Sequence, residues 1–526
     1  MRRIIAVVLF VFVTSCSSPP ATGPEAAKKL IEESATAMGG WTNLDAVKVQ
    51  ELLTGGVDWE PMQSVEPNAA QPVQTDQFGQ TIVMDLEKNR FRLTHDGKRT
   101  YPTPLAVKFT EVVDGDVAML QSTAADGKVT VERLHPSRKA ARQRDFNRLP
   151  IRLLKVAKAA PDLTRVADQT IDGKVYEVLK YKDMGLDVEL QIERFNKLPA
   201  RVVYMEDDPI YGDTQNELAF TDWKETNGVR LPQTMATFLN GKKIREERVR
   251  TLINNGKLDE ASFAIPDEVR SQPDTGEKIV SQWPLRRVVI GVGYQDFGRE
   301  QKVELKQLAP GVFHVIGGTH HSMAVEMKDH VVVVEMPLFE ERSLAVIQAI
   351  EQKIPGKPIK YGVVTHYHID HSGGLRAYAA KGATLIAPES IVPFVKETIE
   401  RPHTVRPDSL AKAGNKGTVE GVADTKELTD GERTIQLISV PTGHAKGMLV
   451  AYLPKEKLVF VSDIYTPGAP VEVGDPNAVA LNAALKKVNA SVDRIVGGHG
   501  ADVGAYKDLA KVGAVPVLPT MPKFGM

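Results

Sequence analysis

The stretch Val363–Leu375, VVTHYHIDHSGGL, sets three of the chain's 12 histidines and one aspartate within six residues. Imidazole and carboxylate donors at that density suit a divalent metal ion, although polar turn loops also favour these residue types. His366 and His368 are two apart, so on an extended backbone their rings project to the same side and can share an ion. Asp370 and His371 fall where the chain turns, with Gly373 and Gly374 just beyond, and can reach a second ion beside the first. Three further donors follow downstream: His444, Asp463 and His499. Nitrogen and oxygen donors without sulfur fit zinc, with iron or manganese as alternatives. Two such ions about 3.5–4 Å apart acidify a shared water, and the resulting hydroxide attacks a carbonyl or phosphoryl centre polarised by one of them. The chemistry implied is metal-assisted hydrolysis, and no G-x-S-x-G or H-E-x-x-H pattern offers another route in this part of the chain.

Four strand ends must position these seven residues. IKYGVVT reads as a strand that delivers the cluster at its C-terminal end, and TIQLISVPTGH, KLVFVSD and VDRIVGGHG end in or just before His444, Asp463 and His499. Other near-continuous apolar runs, such as APGVFHVIGG and VVVVEMP, alternate with helical stretches such as FEERSLAVIQAIEQKI. That pattern predicts sheets covered by helices. The first half of the chain has a different pattern. Ala27, Leu30, Ile31, Ala35 and Met38 recur at helical spacing before Gly39-Gly40. From there to about residue 270, period-two runs with hairpin punctuation predict an antiparallel sheet wrapped around that one helix.

The 526 residues are too many for one ordinary core. The balance of 66 basic and 67 acidic residues argues against a nucleic-acid partner. MRRIIAVVLFVFVTSCSS has two arginines, an apolar run too short to span a bilayer, and small residues ahead of the single cysteine. Val13-Thr14-Ser15-Cys16 resembles the bacterial lipobox, which implies cleavage before Cys16, its lipidation, and membrane anchorage through that lipid. An ordinary signal peptide or a short anchor is the alternative. Uncharged Ser17 and Ser18, by the same resemblance, imply an outer-membrane lipoprotein facing the periplasm. The expected organisation is a signal peptide over 1–15, a tether over 16–24, an antiparallel β domain over 25–270 and a connector over 271–302. A metal-binding domain over 303–515 and a tail over 516–526 complete it.

The order H-x-H-x-D-H, then His, Asp and His, resembles the metallo-β-lactamase-fold hydrolases over about residues 303–515. The resemblance implies an αββα sandwich with two Zn2+ ions at the edge of its sheets. His366, His368 and His444 would hold one ion, Asp370, His371 and His499 the other, and Asp463 would bridge them. It further implies that Asp370 orients the hydroxide and shuttles a proton. An aspartate at 463, where the lactamases of this fold carry Cys or Ser, points to a small ester, lactone, thioester or amide-like substrate rather than a β-lactam. About the last third of the β domain, from FNKLPARVVYM to SFAIPDE, weakly resembles periplasmic lipoprotein-carrier proteins in its turns and closing F-x-x-P. An apolar-ligand-binding lipoprotein with an accessory metal domain is therefore one alternative, and a β-lactamase or an iron-dependent sulfur dioxygenase of the same fold is another. His320, His321 and Tyr465 stay outside the ligand set, and His403 reads as a solvated loop residue.

Overall fold

The structure is a computed structural model that describes residues 21–101, 104–124, 126–274, 281, 283–287, 297–414, 417–500 and 502–514. The expected signal peptide, Cys16 and the C-terminal tail lie outside these residues, as does part of the connector. Among the described residues no helix is long and apolar enough to cross a membrane.

The first half is a 13-stranded antiparallel sheet made of two meanders, one of six strands from Val49–Glu60 to Val129–Arg133 and one from Thr164–Ile171 to Lys242–Asn254. The first strand pairs with the last, Leu52 opposite Leu252, and this long-range pairing joins the meanders into one sheet. Tight turns make the local pairings. At Asn227–Gly228 both residues take positive φ, 52° and 76°, the left-handed pair that a two-residue hairpin requires. Helix Pro24–Ala37 buries Ala27, Leu30 and Ile31 against this sheet. Two more helices join it there, Pro136–Asn147 and Pro150–Ala159, which bury Phe146, Leu153 and Leu154 in the same core. PSRKAARQRDFN carries too few apolar residues to announce its helix by periodicity.

The second half stacks two sheets. A seven-stranded sheet runs from Glu304–Ala309 to Thr418–Val422, and a six-stranded one from Thr425–Thr429 to Gly504–Ala505. Their facing sides share one core: Val332, Val334 and Ile386 from the first meet Leu437, Ala451 and Phe460 from the second. Outer faces are covered by helices, Glu340–Lys353 on one side and Pro476–Lys487 on the other. The strand Val331–Val334 shows why its sequence is apolar throughout. Val331 and Val333 face the helix layer, Val332 and Val334 face the other sheet, and all four are fully buried. This is an αββα sandwich, preceded by a mainly antiparallel β domain.

The two halves share a junction. Met62, Ile210, Trp283 and Phe297 belong to the same apolar core as Leu338 and Phe339. Trp283 and Phe297 pack edge to face at 4.7 Å, and Phe297 and Phe339 at 5.3 Å. Arg287 is fully buried and reaches Glu60 at 3.1 Å and Asp208 at 3.2 Å. Asp213 accepts hydrogen bonds from the amides of Thr404 and Val405, at 2.8 and 3.0 Å. His403, read from sequence as solvated, is instead buried against Asp207 at 2.6 Å, because the loop that carries it lies on the strand ends of the first half.

Candidate metal centre

Strand Ile359–Val363 runs into Thr365, and His366 and His368 follow before a single helical turn, Ile369–Ser372, presents Asp370 and His371. His366, His368 and His371 are fully buried and Asp370 is 6% exposed. The turn can pass this close only without side chains. A Cβ on Gly373 would lie 2.0 Å from the Leu338 carbonyl oxygen, and one on Gly374 would lie 2.0 Å from Ser343 Oγ. His444 follows strand Thr434–Ser439, Asp463 follows Leu458–Val461, and His499 follows Arg494–Gly497.

The fold brings all seven residues together in two groups. His366, His368, His444 and Asp463 have donor atoms within 4.8 Å of one another, and so do Asp370, His371 and His499. Asp463 spans both groups. Its Oδ1 lies 2.8 Å from His371 Nε2 and 3.0 Å from His499 Nε2, while Oδ2 lies 3.2 Å from His444 Nε2 and 3.9 Å from His366 Nε2. His320, left out of the ligand set on sequence grounds, belongs to the second group. Its Nε2 lies 3.3 Å from Asp370 Oδ2, on a loop between strands Val312–Ile316 and Ser322–Glu326. The paired histidines of GGTHHSM were the available signal. His321 is also buried, but it is in neither donor group.

A metal pair fits these residues. His366 Nε2, His368 Nδ1, His371 Nε2, His444 Nε2 and Asp463 Oδ1 are all buried, and among the described residues none has a hydrogen-bond partner outside the cluster. Such orphaned donors are costly unless something else satisfies them. The opposite ring nitrogens of two of these histidines are fixed from outside the cluster. His371 Nδ1 donates to Glu335 Oε2 at 3.0 Å, and His368 Nε2 donates to the Ser64 carbonyl at 2.9 Å. Glu335 is itself buried, accepts from Thr365 Oγ1 at 2.8 Å, and holds φ at +68°, a strained value for a residue with a side chain. Sequence offered one hint of it, an acid that ends a run of four valines.

Burial and the surrounding imidazoles keep His366 well below the ordinary value, and burial pushes His368 and His320 down to about 4. These rings are therefore neutral at physiological pH, the form that binds metal. Burial also works against the charge on His371, but Asp463, Glu335 and Asp370 hold it well above its usual value. Burial likewise opposes ionisation of Asp370 and Asp463, yet His371 and its neighbours keep both well below the carboxylate range.

The β domain reaches into the site. Its first strand ends in a turn, Pro61–Gln63, which lies on the cluster: Gln63 Nε2 donates to Asp370 Oδ1 at 2.8 Å. The Ser64 carbonyl accepts from both His368 and the Tyr367 hydroxyl, and the Val65 carbonyl accepts from Lys446 N at 2.7 Å. Gln63 and Ser64 were not legible as site residues.

Residues 317–499 match the family model of the metallo-beta-lactamase superfamily. No curated protein matches the chain. Among solved structures, a metallo-beta-lactamase from Pontibacter korlensis is 18% identical, with a TM-score of 0.32, over 40% of this chain and 97% of that one. The metallo-beta-lactamase FIM-1 from Pseudomonas aeruginosa, in its mono-zinc form, is 16% identical, with a TM-score of 0.31, over 40% of this chain and 93% of that one. The segment that matches the metallo-beta-lactamase superfamily model is the one that carries the histidine–aspartate cluster.

Proposed function

We propose that the chain is a dinuclear zinc hydrolase acting on a small ester, lactone, thioester or amide-like substrate. One observation carries this reading: the two oxygens of Asp463 face separate sets of imidazoles whose inward nitrogens have no hydrogen-bond partner outside the cluster among the described residues. His366, His368 and His444 would hold one ion, and Asp370, His371 and His499 the other, with His320 beside Asp370. Bound there, two zinc ions supply a Lewis acid and bring the pKa of water near neutrality. Asp370 then has two tasks. Its Oδ1 is pinned by Gln63, so its Oδ2, beside His320 and His371, is held in place to orient the attacking water and to pass its proton to the leaving group. The Gln63–Val65 strap lies over one side of the site, which favours small substrates over polymers. The superfamily is in general one of metal-dependent hydrolases.

The export pattern supports a further proposal, that the protein is a periplasm-facing outer-membrane lipoprotein anchored through Cys16. Cys16→Ser is expected to release it from the membrane fraction or to leave it unprocessed, and unchanged partitioning would remove that reading. The hydrolase reading is tested by metal analysis and by a panel of lactones, thioesters, phosphodiesters and β-lactams. Hydrolysis of one class, abolished in Asp370→Asn with little change in melting temperature, is the expected result. A protein that binds two ions, hydrolyses nothing, and loses only stability in Asp370→Asn would make the site structural.

A further inference from the structure

The first half holds a cavity of about 180 Å³ between its sheet and the helices that cross it, and none of the metal-centre residues lines it. Its lining includes the apolar residues Leu93, Phe109, Leu149, Leu218 and Met235 and four arginines. Three of those arginines have carboxylates. Arg142 reaches Glu111 at 2.5 Å and Asp145 at 2.9 Å, Arg245 reaches Asp58 at 3.0 Å, and Arg286 pairs with Asp208. Arg148 does not. It is 3% exposed, and its Nε and Nη2 are buried without a hydrogen-bond partner among the described residues. Its guanidinium instead lies 3.7 Å over the ring of Tyr204, which also lines the cavity. A ring face partly offsets the charge but leaves the N–H donors unmet. The carboxylates on the wall (Asp58, Asp145 and Glu247) are each within ion-pair distance of another arginine, so the cavity holds one uncommitted positive group.

A chamber with an apolar portion, paired charges and one buried guanidinium without a carboxylate is complementary to an apolar body that ends in a single anion. Planar bidentate recognition further favours a carboxylate. A dry cavity of about 150 Å³ accommodates a benzene ring, so this one suits a body of about six to eight carbons. We propose that the cavity is a binding site for a small amphipathic monocarboxylate, its carboxylate on Arg148 and its chain against Leu93, Leu218 and Met235. This site is separate from the metal centre and does not depend on the hydrolase reading.

The test is calorimetric titration of the full chain with sodium octanoate, octan-1-ol and sodium acetate, both zinc-loaded and stripped of metal by a chelator. Octanoate is expected to bind in both states, octanol about tenfold more weakly, and acetate not measurably. Arg148→Met is expected to bring octanoate down to the level of octanol and leave octanol unchanged. Met235→Trp, which fills the cavity and leaves the charge alone, is expected to abolish binding of both, so the test does not rest on Arg148→Met folding. No octanoate binding, equal binding of octanoate and octanol, or binding seen only with zinc present would overturn the proposal.

Discussion

Gln63→Leu tests whether the β domain is part of the metal centre or only its neighbour. Gln63 is 3% exposed, and its amide donates to Asp370 Oδ1 at 2.8 Å across 307 residues of sequence. Leucine keeps most of the volume and removes the donor. A hydrogen bond to an ionised acceptor contributes about 1.5–3 kcal/mol, roughly ten- to a hundredfold in an equilibrium constant. In the variant, Asp370 Oδ1 stays buried without that donor, and the carboxylate is free to rotate away from His371 and His320. The cost should fall on one ion. Affinity at the Asp370–His371–His499 group is expected to drop about tenfold or more, while the His366–His368–His444 group, to which the Gln63 side chain makes no hydrogen bond among the described residues, keeps its own. Zinc competition against a chelator resolves the two steps, with turnover measured at saturating zinc and thermal melting as the control for folding. Two ions bound as tightly as in the unaltered chain, with unchanged turnover, would refute the reasoning and leave the strap as a packing contact.

Glu335→Gln removes the charge that orients His371 through its Nδ1 and should weaken zinc binding by about 10–100-fold, read by the same competition. Arg376 is 5% exposed, pairs with Asp408 through two nitrogens and donates to the carbonyls of Thr398 and Ile399 at 2.9 and 2.8 Å. Arg376→Leu strands that carboxylate and is expected to cost about 3–5 kcal/mol in urea unfolding, and a loss under about 1 kcal/mol would contradict it. The junction has a pH dependence of known sign. Burial raises the pKa of Asp213, but the Thr404 hydroxyl and the amides of Thr404 and Val405 outweigh it and hold the group below its ordinary value. A depressed carboxylate stabilises the fold above its unfolded pKa and loses that contribution as pH falls through the folded value. The protection factors of the Thr404 and Val405 amides, measured against their intrinsic exchange rates, should therefore be high at neutral pH and fall in acid below the carboxylate range, and in Asp213→Asn they should be low at both.

The H-x-H-x-D-H cluster was readable because its geometry is local. A strand end, a two-residue spacing and one helical turn fix where His366, His368, Asp370 and His371 point, whatever the rest of the chain does. The same holds for the hairpin at Asn227–Gly228 and the valine strand, where one period or one turn type carries the signal. His444, Asp463 and His499 were legible as residues that close strands, and as one set with the cluster through the family resemblance of their order; the stacking of two sheets is what puts their donors within reach of it. Gln63 and Ser64 had no spacing to betray them, and His320 and Glu335 only a histidine pair and an acid after four valines. Their roles come from contacts made after the chain has folded back: a strap from the first strand laid on a loop 300 residues later, and a carboxylate in a strained turn behind a histidine. Local backbone geometry sets which donors can share a face. Burial, and the cost of leaving a polar atom unpaired there, decides which distant residues must complete them.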